Sequence, residues 1–401
     1  MVKAVVSINS GSSSIKFSLF AIGDHGDHGD FQLAAGGKIE KIGIAPALKA
    51  SSVDGEILLE RDWPDGTSLS HADLLENLFA WAADHPLAGR EIIAIGHRVV
   101  HGGTEFAAPV LVDAALTDKL EALCPLAPLH QPHNLAAIRA IAQLQPNLPQ
   151  VACFDTAFHR DKPALASRFA LPRALHDQGI RRYGFHGLSY EYIARRLAEI
   201  DPVLASGRVI AAHLGNGASL CAMEAGHSID TTMGFTALDG LMMGTRCGSL
   251  DPGVVLHLET QMGMSPAEVE ELLYKKSGLL GVSGVSSDMR TLAASGVPAA
   301  EEAVALFAWR VGREAGALAS SLGGLDGIVF TAGIGENDAD MRSRICRRLA
   351  WLGLDLDELA NAGDGPLISM PDSRVKAYVI PTDEERMIAM HTYKVVQGKS
   401  A

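Results

Sequence analysis

Two arginines stand in settings where a cation is costly. Arg98 lies in Gly96-His97-Arg98-Val99-Val100-His101-Gly102-Gly103, an apolar strand-like run ending in a glycine pair. Arg246 lies in Met243-Gly244-Thr245-Arg246-Cys247-Gly248, between glycines and with no helical pattern to bury it. A charge so placed must meet a carboxylate or face a ligand, and the planar guanidinium fork suits carboxylate and phosphate oxygens. Either arginine alone is more simply a structural ion pair. Two carboxylates sit where strands should end: Asp155 directly after residues 151–154, and Glu384 after residues 375–380 and Pro381-Thr382-Asp383. Carboxylates at strand ends can hold Mg²⁺, which takes one or two protein oxygens and completes its shell with phosphate and water. The competing readings are a helix N-cap for Asp155 and a first-turn residue for Glu384. Histidines recur beside these segments at His130, His186 and His213, whereas His97 and His101 read as core residues.

Three turns of small residues add backbone donors: 9–14 (Asn-Ser-Gly-Ser-Ser-Ser), 213–217 (His-Leu-Gly-Asn-Gly) and 333–337 (Gly-Ile-Gly-Glu-Asn). Such turns bare N–H groups and hydroxyls that suit a phosphate. One would be an ordinary tight hairpin; three in one chain point to phosphate handling. The chain has no GxxxxGK[ST], and Gly215-Asn216-Gly217 and Gly333-Ile334-Gly335 both lack the third glycine of a dinucleotide turn.

Short β-rich runs at 4–8, 92–100, 151–154, 209–214, 328–332 and 375–380 predict the strands that position these groups. Helical spacing links Leu74, Leu75, Leu78, Phe79 and Ala82, and again Val304, Phe307, Ala308, Val311, Ala315 and Leu318, the second helix stopping at Gly323-Gly324. Residues 189–200 predict another helix. Strands alternating with helices imply an α/β fold with mixed sheets. Residues 5–17 and 209–220 share a strand, small-residue turn, strand pattern, which suggests a duplicated domain with a cleft between the halves. The best boundary is at 146–149, between two prolines. Residues 23–29, with two histidines, read as a solvated hairpin loop rather than a metal site.

At ~150 residues per domain, 401 residues suggest two domains or three. Apolar residues at 47% and charged residues at 20% support a sizeable core. A formal net charge of −13 makes nucleic acid and anionic membrane poor partners. An anionic ligand must therefore be held by local donors. The five cysteines are scattered with no CxxC pair, which argues against a zinc site or disulfide framework and fits a reducing, cytoplasmic setting. The first six residues are too short for a signal-peptide apolar region. The longest run free of Asp, Glu, Lys and Arg, 122–138, holds three prolines and is no membrane span.

Residues 9–19 resemble the N-terminal signature of the acetate kinases, and Arg181-Arg182-Tyr183-Gly184-Phe185-His186-Gly187 with Met243-Gly244-Thr245-Arg246 resembles their second signature region. Further matches at 96–103, 126–132, 154–159, 213–217, 286–290, 333–337 and 380–385 follow in the family's order and span nearly the whole chain. The resemblance implies two ribonuclease-H-like domains of the actin-like ATPase type around a nucleotide cleft. The expected division is 1–150 plus 385–401, and 151–384. It implies reversible formation of acetyl phosphate and ADP from acetate and ATP, with Mg²⁺ or Mn²⁺, in a homodimer.

Carried over by position, Lys16, His213, Leu214, Gly215, Asn216, Gly217, Asp288, Met289, Arg290, Gly333, Ile334, Gly335, Glu336 and Asn337 would contact the nucleotide. Ser12 and Ser14 would lie near the phosphates, and Asn9 and Glu384 at the metal. Arg98 would hold the substrate carboxylate, with Val100, Leu129 and Phe185 lining the methyl pocket. Arg246, His186 and Asp155 would be catalytic, Asp155 orienting Arg246 or a metal-bound water. Ala237 stands where many acetate kinases have proline, which should widen the acyl pocket unless Phe235 or Met243 fills it. A propionate or other short-chain acyl kinase is the nearest alternative, and a non-catalytic ATP-binding module related to Hsp70 or actin a more distant one.

Overall fold

The computed structural model describes residues 1–11, 13–23, 31–84, 90–363 and 365–398. Ser12 and most of the histidine-containing 23–29 segment lie outside them. The chain divides into two units, Met1–Ala157 with Asp383–Ala401, and Phe158–Thr382.

The first unit holds an eight-stranded sheet. In chain order its strands are β1 (Val2–Ser10), β2 (Ile15–Ile22), β3 (Phe31–Glu40), β4 (Ala47–Ser52), β5 (Ile57–Asp62), β6 (Arg90–Val99), β7 (Val110–Leu111) and β8 (Gln150–Phe154). Their spatial order is β5-β4-β3-β2-β1-β6-β8-β7. β1 pairs antiparallel with β2 and parallel with β6, which is itself parallel to β8. Ile8, Ile15, Phe17 and Ile95 pack with Leu74, Leu75 and Ile141 of the helices on one face. Helix Glu384–Val396 returns to this unit, placing Ala389 against Val5 and Phe20.

The second unit holds five strands: β9 (Arg208–Leu214), β10 (Ala218–Glu224), β11 (His227–Thr231), β12 (Gly327–Thr331) and β13 (Lys376–Val379), ordered β11-β10-β9-β12-β13. β9 is antiparallel to β10 and parallel to β12, and β12 is parallel to β13. The arrangement of β2-β1-β6-β8 is thus repeated in β10-β9-β12-β13, as the echo between the two hairpins suggests. Tyr190, Ile193 and Leu197 of helix Gly187–Ile200 cover Val209, Ala211 and Val329. The long helix Pro298–Ser321 buries the anticipated stripe of Val304, Phe307, Ala308, Val311, Ala315 and Leu318. Gly323 and Gly324 close it by donating to the carbonyls of Ser320 and Ala319.

Two details depart from expectation. The boundary placed after residue 150 cuts off a strand of the first sheet, because β8 pairs with β6 from Ile95↔Gln150 to Val99↔Phe154. The prolines at 146 and 149 end a helix and feed that strand, a local job that looks like a linker in the sequence. The strands β3 to β5 went unanticipated, since their mixed polar and half-exposed residues leave little periodicity. All five cysteines are free thiols, and among the described residues no helix is long and apolar enough to cross a membrane.

Candidate functional site

In the first unit, the penultimate residue of β6 is Arg98. Its Nε donates to both oxygens of Asp155 at 3.0 Å, and its Nη2 donates to Asp155 Oδ2 at 2.5 Å. Nη1 donates to Asn9 Oδ1 at 3.2 Å. Asp155 is 1% exposed and Arg98 18%. This is the carboxylate partner that a buried cation requires, yet it engages two of the five guanidinium donors and Asn9 a third. Burial works against the charge on Arg98, but Asp155 outweighs it and keeps the guanidinium firmly protonated. Within its own unit the Asp155 carboxylate is paired with Arg98 and is not an isolated base.

Glu384 opens helix Glu384–Val396 behind the N-cap Asp383. Its carboxyl is held well above the usual range, first by burial, with Asp155 and Glu385 pushing the same way against Arg98 and Lys16. It is both the first-turn residue of one reading and a neighbour of the arginine pair. Beyond Arg98 the chain is pinned by helix Gln131–Leu144. Asn134 accepts from Val100 N–H at 3.0 Å and donates to the carbonyl of Ser10 at 2.6 Å, while Gln131 pairs with both backbone groups of His101. Neither residue stands out in the sequence. Val100 is buried, and Leu129, just ahead of that helix, is half-buried. The first small-residue turn closes by a bond from Gly11 N–H to the carbonyl of Ser14. Lys16 is exposed on β2.

In the second unit, the two other small-residue turns and residues 287–290 meet. Gly215, Asn216, Ser287, Asp288, Met289, Arg290, Gly333, Ile334 and Asn337 line one cavity of about 940 Å³, together with Ala293, Ala294, Asp338 and Ala339. That volume suits a nucleotide-sized ligand. Asp288 caps helix Met289–Ala294 by accepting from the Arg290 and Thr291 N–H groups. The Arg290 guanidinium, 2.8 Å away, and those N–H groups hold its carboxyl down to about 2. Ala293 and Ala294 were missed; they lie one helical turn beyond Met289 and Arg290, and their small size is their only signal.

Arg246 and His186 approach the same spot. A Cβ built on Gly217 would sit 3.3 Å from His186 Nε2 and 3.5 Å from Arg246 Nη2. Arg246 Nη1 donates to the carbonyl of Ala237 at 2.7 Å. The loop before Arg246 is tied to the cavity edge by Gly244 N–H, which donates to the Asn216 carbonyl, and a Cβ on Gly244 would strike Asn216 Oδ1. His186 Nδ1 lies 2.8 Å from Ser219 Oγ, and its ring stacks on His213 with centroids 4.2 Å apart.

Several expected contacts do not line the cavity. Leu214 is fully buried in β9, and His213 Nδ1 is spent on Ser189 Oγ at 2.9 Å. Gly335 is buried beneath its turn, and Gly217 faces His186 and Arg246 instead. The Glu336 carboxylate accepts from Ala332 N–H at 2.7 Å and Thr382 N–H at 3.1 Å, so it pins its own turn to the segment before Glu384. Phe185 is 1% exposed in this second unit. Among the described residues no three His, Cys, Asp or Glu side chains group as a metal site.

The acetokinase family model matches residues 4–390. An acetate kinase from Rhodopseudomonas palustris (strain ATCC BAA-98 / CGA009) is 53% identical over 395 residues, covering 98% of each chain. One from Methylocella silvestris is 48% identical and covers all of both. Among solved structures, Porphyromonas gingivalis acetate kinase superposes with a TM-score of 0.86 at 39% identity, over 98% of this chain and 100% of that one. A propionate kinase from Francisella tularensis gives 0.90 at 38%, over 98% and 99%. The repeated sheets are those of the actin-like ATPase fold.

Proposed function

The chain belongs to the acetokinase family, and we propose that it transfers the γ-phosphoryl group of ATP to acetate, giving acetyl phosphate and ADP, by the side chains described above. It is an enzyme, an acetate kinase, rather than a passive nucleotide-binding module. The observation that supports the assignment of roles is the meeting of three distant segments on one cavity of about 940 Å³, with Arg246 and His186 beside Gly217, the residue that follows the lining Asn216.

The cavity takes the nucleotide. Arg98 holds the acetate carboxylate with the two donors that Asp155 and Asn9 leave unused. Val100, Leu129 and Phe185 contact the methyl group. Acetate, with a carboxyl pKa of ~4–5, is already ionised at pH 7, so no general base is needed. One carboxylate oxygen bonds to the γ-phosphorus as the bond from that phosphorus to the bridging oxygen of ADP breaks. Charge develops on the three equatorial oxygens, where Arg246 and His186 stabilise it. Asp155 keeps Arg98 charged and oriented rather than accepting a proton.

A divalent cation fits the first unit. Glu384 is a carboxylate crowded by Asp155 and Glu385, and Asn9 offers a second oxygen. Mg²⁺ or Mn²⁺ asks for few protein oxygens when phosphates supply the rest. When bound there it would neutralise phosphate charge.

The enzyme works as a homodimer in the cytoplasm. Helix Pro252–Thr260 buries none of its residues although it is largely apolar, and Leu256 and Met262 are 60% and 63% exposed. A second copy would cover this surface. Sedimentation should give a dimer, and Leu256→Glu a monomer. The five free thiols fit a reducing compartment.

Trapping the product as a hydroxamate, with acetate, propionate and butyrate side by side, tests the reaction. Acyl phosphate from acetate is expected, and none from any acid would overturn the proposal.

A further inference from the structure

His186 is held in a conformation that its own chemistry disfavours. Its φ is +59°, in the left-handed region, with a side chain and no glycine's freedom. Two residues earlier Gly184 has φ +92°, so the backbone turns sharply twice on entering helix Gly187–Ile200. Tyr183 and Phe185 are 8% and 1% exposed, and their carbonyls, on either side of Gly184, must find donors away from water. Both donors come from one short segment. Lys162 Nζ donates to the Tyr183 carbonyl at 2.7 Å, and His159 Nε2–H donates to the Phe185 carbonyl at 2.9 Å.

Neither donor is there by default. Lys162 is only 6% exposed, and a buried ammonium whose acceptor is a neutral carbonyl is a costly way to fill space. Burial and the nearby Arg182 push its pKa down to about 8, against the pull of Asp230. The His159 ring is 2% exposed and neutral. Its tautomer is fixed, because the Phe185 carbonyl can only accept at Nε2, leaving Nδ1 to accept from Ser228 Oγ at 2.8 Å. The ring lies so close to Gly184 that a Cβ there would sit 2.6 Å from it. It also packs edge-on against Tyr190, whose hydroxyl is 2.5 Å from Ser219 Oγ, the atom that in turn meets His186 Nδ1.

We propose that His159 and Lys162 are positioning residues for phosphoryl transfer, clamping the two carbonyls that flank Gly184 so that His186 is locked in its left-handed turn and aimed with Arg246 at Gly217. The inference rests on the proposed role of His186 in that reaction. Misplacing a stabilising group by a fraction of an ångström lowers the rate without touching the nucleotide cavity.

The test is a double-mutant cycle in the full-length enzyme, read by acetyl phosphate formation. Lys162→Met should lower kcat by about 10–100-fold, with KM for ATP changed by less than about twofold. In a His186→Ala background the same substitution should cost less than about threefold, since the group it positions is gone. His159→Leu should behave like Lys162→Met, whereas His159→Gln, whose amide can still reach the Phe185 carbonyl, should recover most of the lost rate. If Lys162→Met proves too unstable to assay, His159→Gln against His159→Leu carries the cycle alone. Equal losses with and without His186, or a full rate from His159→Leu, would overturn the clamp. Wild-type enzyme that makes no acetyl phosphate would instead remove the reading on which the clamp rests.

Discussion

In the first unit β6 runs between β1 and β8 and carries Arg98 next to its end. In the second, β12 runs between β9 and β13 in the same order, and its five residues are all buried and uncharged. One topology thus places its cations in two ways. The first keeps a charge in the sheet and stabilises it with Asp155 from the end of the neighbouring strand, leaving two guanidinium donors unused. The second keeps the matching strand β12 uncharged and lets the turns after β9 and β12 shape a cavity lined by Arg290, with Arg246 on a separate loop beside Gly217. A sheet charge is rigid but costs stability when its partner is lost, whereas a loop charge can be altered with little effect on folding.

The first unit gives the largest expected effect. Arg98→Leu and Asp155→Leu each strand a charge, and each should lower stability by about 3–5 kcal/mol in denaturant titrations. The double variant should regain most of that stability. Its kcat/KM for acetate should nevertheless stay about 10²–10³-fold down, because the binding fork is gone. A stable double variant with turnover within tenfold of wild type would show that the pair is structural only. In the second unit, Arg246→Lys should cost about 10² in kcat with stability and KM for ATP nearly unchanged, since charge is kept and the fork lost. A kcat within threefold of wild type would sink that contrast.

Ala294→Leu narrows the cavity and should raise KM for ATP about tenfold while KM for acetate stays put; equal rises in both would remove the cavity from nucleotide binding. Ala237 offers its carbonyl to Arg246, which a proline there would retain. Propionate should be used within about tenfold of acetate in kcat/KM, and Ala237→Pro should sharpen the preference for acetate. A wild-type preference above a hundredfold, unchanged by that substitution, would show that position 237 does not set acid length.

A further effect is one of pH and touches both units. Burial holds His97 and His101 down to about 4 and His159 to about 3. Their folded pKa values lie below the unfolded value of ~6.5, so the unfolded chain binds more protons as pH falls. The stability they support is complete above pH ~6.5 and is lost progressively toward pH 4. Melting temperature should decline over that window, and His97→Gln should flatten the slope. A melting temperature level from pH 7 to 5 would contradict the burial of these rings.

The strands 4–8, 92–100, 209–214 and 328–332, the stripe of helix Pro298–Ser321 and its glycine stop were legible because period and capping are properties of neighbouring residues. So was the presence of cationic and glycine-rich segments, and the resemblance they form jointly. The sequence also requires that Arg98 have a partner, since a charge inside an apolar strand cannot stand alone. Which partner it is depends on a contact across 57 residues, made only when β6 and β8 pair. Glu336 and Asn337 are adjacent in one turn, yet one side chain pins the backbone and the other borders the cavity. Nothing local distinguishes them, because the direction of a turn side chain is set by whichever donors the rest of the fold brings within reach. The roles of Asn134, Ala294 and Lys162 were decided in the same way, by packing against segments far along the chain.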